Sequence, residues 1–120
     1  MGKVIALWPT LIASSVWASE PPYVGSWASQ MEYCKNDSNW TFDSPINITR
    51  KAVDGHEWHC DITSVVASSP GWTATMSCAS EGDEERRTVR WRVSADGRLH
   101  EFADGESRSY VRCEGALHAR

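Results

Sequence analysis

Few residues in this chain combine type and spacing in a way that can do chemistry. Glu57, His59 and Asp61 stand at alternate positions. On an extended strand alternate side chains share a face, so a carboxylate, an imidazole and a second carboxylate would form a row able to relay a proton or hold a cation weakly. No nucleophile or third ligand is fixed beside the row, which favours a solvated strand face. His56, His100 and His118 are scattered and match no zinc spacing. The stretch Glu81-Gly82-Asp83-Glu84-Glu85-Arg86-Arg87 lacks the ligand spacing of a calcium loop and reads as a solvated hairpin tip with local ion pairs. Arg90 and Arg92 share a face that either meets an acidic partner or keeps a sheet soluble. The expectation is no catalytic set, no metal and no cofactor.

The remaining reactive residues are Cys34, Cys60, Cys78 and Cys113. What they do depends on the compartment, and the first residues speak to that. Lys3 supplies a positive start, residues 4–15 are apolar, and Val16-Trp17-Ala18 offers small residues at cleavage subsites, so residues 1–18 are expected to be a signal peptide cut after Ala18. The apolar run is too short for a membrane anchor and Pro9 interrupts it. Residues 19–120 then form one domain, and four cysteines in an exported chain point to two disulfides. Removing residues 1–18 takes away one charged residue, Lys3, leaving eleven basic against sixteen acidic residues. That balance argues against nucleic acid as a partner.

The elements that position these residues are strands. The organising stretch is residues 55–83, a long hairpin in which Trp58, Cys60, Ile62 and, on the return, Trp72, Ala74, Met76, Cys78 alternate with polar residues. Ser68-Ser69-Pro70-Gly71 is its turn. Ahead of it, residues 24–30 form a first strand, residues 34–45 a long loop, and Ile46 and Ile48 a second strand ending at an Asp54-Gly55 turn. After it, Val89, Trp91 and Val93 face one way on a fifth strand, and Asp96-Gly97 and Asp104-Gly105 delimit a sixth, residues 98–103, and a seventh, residues 107–113. No helical stripe and no repeat is present. The fold expected is all-β, an antiparallel up-and-down meander of about seven to eight strands rolled into a small barrel.

A turn centred on Ser69 places Ile62 opposite Met76 and Cys60 opposite Cys78. A turn over residues 82–85 would set Met76 against Trp91, and a two-residue Asp96-Gly97 turn would set Trp91 against Phe102. The core expected is Trp27, Ile46, Ile48, Trp58, Ile62, Trp72, Met76, Val89, Trp91, Val93, Phe102 and Val111, with Leu99 and Tyr110 on the other face. The same register favours Cys60 with Cys78, and Cys34 with Cys113 at the opposite rim, closing the seam.

Two places offer binding residues. One is the loop of residues 34–45, where Trp40 and Phe42 are either recognition anchors or caps of the barrel mouth. The other is the lead-in Pro21-Pro22-Tyr23. Asn36, Asn39 and Asn47 head glycosylation sequons, which matter only in a host that glycosylates.

Gly25-Ser26-Trp27-Ala28, Cys34, Ile46 and Ile48, residues 57–60, residues 72–78 with Glu81-Gly82, Trp91 and the ending Tyr110-Val111-Arg112-Cys113 together resemble small exported single-domain proteins of Gram-negative bacteria without assigned activity. More distantly, the Gly-x-Trp opening, the size and the meander are similar to lipocalin-like periplasmic protease inhibitors and periplasmic lysozyme inhibitors. The resemblance implies a monomeric, non-enzymatic binding protein, periplasmic or secreted, without stable membrane insertion, that acts on an envelope or foreign hydrolase such as a protease or lysozyme. The alternatives are a carrier of a small apolar ligand or a purely structural envelope protein.

Overall fold

The computed structural model describes residues 20–35 and 44–113. Trp40, Phe42, Asn36, Asn39, His118 and the expected signal peptide lie outside the described residues. Eight antiparallel strands close in chain order into a barrel: β1 (Gly25–Ala28), β2 (Ile46–Ile48), β3 (Ala52–Gly55), β4 (Trp58–Ser68), β5 (Gly71–Ser80), β6 (Asp83–Val93), β7 (Leu99–Ala103) and β8 (Glu106–Arg112). A 3-10 helix, Met31–Lys35, follows β1.

The hairpin of β4 and β5 is the spine. Cys60 faces Cys78 and Ile62 faces Met76, as the alternation requires, until a bulge at Thr63 shifts the pairing so that Val65 faces Ala74 and Ala67 faces Trp72. The bulge lets the inward row continue past an extra residue. The stretch after Ile46 is two strands rather than one: β2 and β3 pair with Ile48 opposite Val53. Their connection is held by Thr49, whose side chain accepts from the Lys51 and Ala52 amides. The following turn is His56-Glu57, with Gly55 opposite Trp58, not Asp54-Gly55.

Ser68 faces Gly71, so the turn of the β4–β5 hairpin is Ser69-Pro70 rather than one centred on Ser69, and the bulge absorbs the difference. Two further registers differ from those expected, and both differences come from turn length. Glu81 and Gly82 take φ values of 50° and 90°, the paired positive angles of a two-residue hairpin turn. Asp83 and Glu84 therefore join the ladder, Met76 faces Arg87 instead of Trp91, and Trp72 faces Trp91. At the next turn the Gly97 amide donates to the Ser94 carbonyl and the Ser94 amide to the Arg98 carbonyl, closing a three-residue loop with Gly97 at φ 86°. That is one residue longer than an Asp-Gly turn, and a one-residue slip sends every side chain to the other face. Phe102, expected in the core, is 41% exposed and opposite Arg90, whereas Leu99 is fully buried opposite a half-buried Tyr110.

The core holds Trp27, Ile48, Val53, Met76, Val89, Trp91 and Leu99, with Ile46, Trp58, Ile62, Trp72 and Val93 packed against it. The lead-in closes one end of the barrel. Tyr23 is 4% exposed, with its ring 5.1 Å from Trp72 and 4.8 Å from Trp91. Arg112 pins this plug: its guanidinium donates to the Pro22 and Val24 carbonyls and lies 4.2 Å over the Trp27 ring.

Cys60 is bonded to Cys78, and Cys34 to Cys113. The second bridge sits outside the β1–β8 seam, where Cys113 follows Arg112 at the plugged end, away from the Cys60–Cys78 bridge beside the mouth. There Ala28 and Val111, which alternate with inward neighbours, form a small cluster with Tyr33 and the cystine beneath the 3-10 helix.

Candidate functional site

With Tyr23 filling one end, the barrel opens at the other, where the turns β3–β4, β5–β6 and β7–β8 gather. The inward rows change character as they approach this mouth. On β6 the row Trp91, Val89 ends in Arg87, and on β8 the row Tyr110 ends in Arg108; both arginines line the lumen together with Trp58, Met76 and Glu101. Trp58 is positioned by Gly55, where an added Cβ would overlap the indole. The ring therefore lies directly on the backbone across its own turn.

Below the mouth the lumen is filled. The space enclosed among Ile48, Trp58, Met76, Arg87, Trp91 and Glu101 is only about 50 Å³. Glu101 is the polar centre of this layer, accepting from Trp91 Nε1 at 3.4 Å and from the Tyr110 hydroxyl at 3.3 Å. Burial pushes the Tyr110 hydroxyl up from its ordinary range, and the Glu101 carboxylate adds to the effect. Arg108 also donates to Glu106 at 3.5 Å.

Two open clefts flank Trp58 and Arg108. One, about 440 Å³, runs over the Cys60–Cys78 bridge between Trp58, Arg87 and the β5–β6 tip. The other, about 550 Å³, lies between Trp58, His56, Ser44, Ile46 and Tyr110. Around them the turns carry Glu57, then Glu81, Asp83, Glu84 and Glu85, then Asp104 and Glu106, against Arg86, Arg87 and Arg108. At the plugged end the balance reverses: Arg50, Lys51, Arg90, Arg92, Arg98 and Arg112 stand against Glu20 and Asp96 among the described residues. Charge is thus segregated along the barrel axis, and the mouth is an acidic crown around a half-buried aromatic and two arginines.

The row read from sequence lies elsewhere. His59 is on the exposed outer face, its Nδ1 2.6 Å from Asp54 Oδ1 and its Nε2 2.8 Å from Asp61 Oδ1. Glu57 instead sits in the turn at φ 61°, 3.7 Å from His56. Two carboxylates on opposite ring nitrogens favour an imidazolium that donates to both. The hydrogen bond to Asp54, then that to Asp61, holds the His59 pKa above its ordinary 6.5. A folded-state pKa that is raised contributes stability fully present below about 6.5 and lost as pH rises through the raised value. An NMR titration should place the His59 midpoint above 6.5, and His59→Gln should lower the melting temperature at pH 5.5 more than at pH 8.5. A midpoint at or below 6.5 would mean that the two hydrogen bonds do not persist in solution.

Of the candidate binding residues, Pro22 is exposed and Pro21 partly so, while the Tyr23 side chain is spent inside the barrel. Asn47 pairs with Ser26 and Asp54 within the sheet. The mouth residues Trp58, Arg87 and Arg108 are a site that the alternation hints at only indirectly, through an arginine at the end of an otherwise apolar row.

Comparison with protein-family models, curated proteins and solved structures gives no match. The class is set by the fold itself: an eight-stranded, closed, antiparallel barrel braced by two disulfides. Such bridges belong to an oxidising, extracytoplasmic compartment. Among the described residues no helix is long and apolar enough to cross a membrane, and no group of three His, Cys, Asp or Glu side chains is arranged to hold a metal ion.

Proposed function

We propose that this protein is a non-enzymatic binding protein of the periplasm or the secreted space, exported by a signal peptide over residues 1–18. It engages a cationic hydrolase, a protease or a lysozyme, and inhibits it. The observation that carries the reading is the acidic crown: among the described residues seven carboxylates stand on three turns at the open end of the barrel, and four of them, Glu81, Asp83, Glu84 and Glu85, line the cleft beside Trp58. Clustered charge of one sign steers an oppositely charged partner and sets its orientation. An aromatic side chain and arginines at the centre of such a ring are the residue types that anchor interfaces. A carrier of an apolar ligand is less well supported, because a lumen of about 50 Å³ is far below the roughly 300 Å³ at which small-molecule sites begin.

The test is a panel of basic lysozymes and secreted proteases titrated with the purified protein, reading both complex formation and residual activity. At least one should form a stoichiometric complex and lose activity at about 50 mM salt, with weaker association at about 300 mM. Neither binding nor inhibition across the panel would overturn the reading.

A further inference from the structure

Among the described residues, strands have a neighbour on one side only along residues 106–110 of β8, which β1 does not reach, and along two further stretches that the chain treats differently. At the mouth, β6 pairs with β7 only from Arg90 to Val93, so residues 83–88 present an open edge. Five of those six, Asp83, Glu84, Glu85, Arg86 and Arg87, are charged. Charge along an edge is the usual device against pairing with another chain. At the plugged end, β4 pairs with β3 only as far as Asp61, the last link being the Ile62 amide to the Lys51 carbonyl. Residues 64–68 are laddered to β5 alone among the described residues. This edge, Ser64-Val65-Val66-Ala67-Ser68, has no charge and no proline. Its whole hairpin, residues 62–80, contains no Asp, Glu, Lys, Arg or His.

We propose that the open edge of β4 pairs antiparallel with the same edge of a second copy, joining two barrels into a two-fold dimer with a continuous sheet. The edge is self-complementary about Val66. Placing the axis there sets Ser64 against Ser68 and Val65 against Ala67 of the other copy, with the two Val66 side chains facing each other. A two-fold about this axis keeps each face on its own side, so the inward row, Val65 and Ala67, meets its like, and Val66 packs on the outer face. Val66 is 59% exposed, the most exposed large apolar side chain on any described strand, and it sits at the centre of the edge. The outer row Val66–Thr73–Arg90–Phe102 would double across the axis and bring no two charges into direct opposition. The occupant is a second copy because the edge matches itself, as an isologous contact demands, and carries no charge that would repel its like. Five residues a side form a small interface beside the roughly 1,600 Å² of standard complexes, so the dimer is concentration-dependent.

The test is independent of any partner at the mouth. Sedimentation equilibrium of the disulfide-bonded protein should show the mass doubling as concentration rises, and Val66→Lys should stay at monomer mass with an unchanged circular dichroism spectrum. Oxidised Val66→Cys should run as a covalent dimer on a non-reducing gel, because facing residues of antiparallel strands lie within disulfide reach. Thr88→Cys, on the outer face away from the axis, should not. A monomer at every accessible concentration, or no cross-linking through position 66, would overturn the proposal.

Discussion

Replacing Cys34 and Cys113 together by serine should lower the free energy of unfolding by about 4.5 kcal/mol, against about 3 kcal/mol for replacing Cys60 and Cys78. The difference follows from the lengths of chain closed: the two bridges span sequence separations of 79 and 18 residues, and a longer loop removes more entropy from the unfolded chain. Position reinforces the order. Strands β1 and β8 share only two register pairs, Trp27 with Arg112 and Ala28 with Val111, as few as β2 and β3, and unlike that hairpin the seam joins strands far apart in the chain. The Cys34–Cys113 bridge and its cluster of Ala28, Tyr33 and Val111 clasp that join from outside. By contrast, the Cys60–Cys78 bridge lies within the β4–β5 ladder, which is already the longest in the molecule together with β5–β6. Urea denaturation of the two double variants measures both values. Equal losses, or the reverse order, would show that the seam is held by something other than its cystine.

Leu99→Ala should cost about 3 kcal/mol, whereas Phe102→Ala should cost less than about 1 kcal/mol. Size alone would predict the opposite, since phenylalanine buries more surface when it is inside. Leu99 has no exposure and contacts the Trp91 layer, so truncation leaves a cavity that close-packed neighbours cannot fill. Phe102 stands on the outer face between Arg90 and Ser107. Thermal unfolding of the two variants decides the register of β7 in a single comparison, because a slip by one residue would exchange the two results.

That register marks where sequence reasoning stopped. The β4–β5 hairpin was legible because its period-2 pattern is long and its turn cluster is unambiguous, and the pairing of Cys60 with Cys78 followed. The partition of strands after it depended on whether Asp96-Gly97 was the whole turn or the last two residues of a three-residue loop. Both use Gly at positive φ, and composition does not distinguish them. The choice mattered because Leu99, Phe102 and Tyr110 are apolar on both faces of β7 and β8, so burial did not correct the slip. The plugged end was missed for a different reason: Tyr23 in a Pro-rich lead-in looks like a surface anchor until Trp72 and Trp91 are seen to leave room for its ring. The mouth was partly visible, in that Arg87 and Arg108 continue the inward rows of Val89 and Tyr110. The acidic crown around them needs three distant turns to be brought to one end, which only the topology does.

The role of that crown is tested most directly by the affinity of a basic hydrolase partner for the protein and for the triple variant Glu81→Lys, Glu84→Lys, Glu85→Lys, measured by calorimetry at low salt. All three side chains are exposed on the β5–β6 hairpin tip, so the variant should fold as the parent does. Recognition through the acidic mouth requires a loss of affinity of about 100-fold or more, as expected when attraction is replaced by like-charge repulsion. An affinity unchanged by the charge reversal would contradict it and move the binding surface away from the mouth.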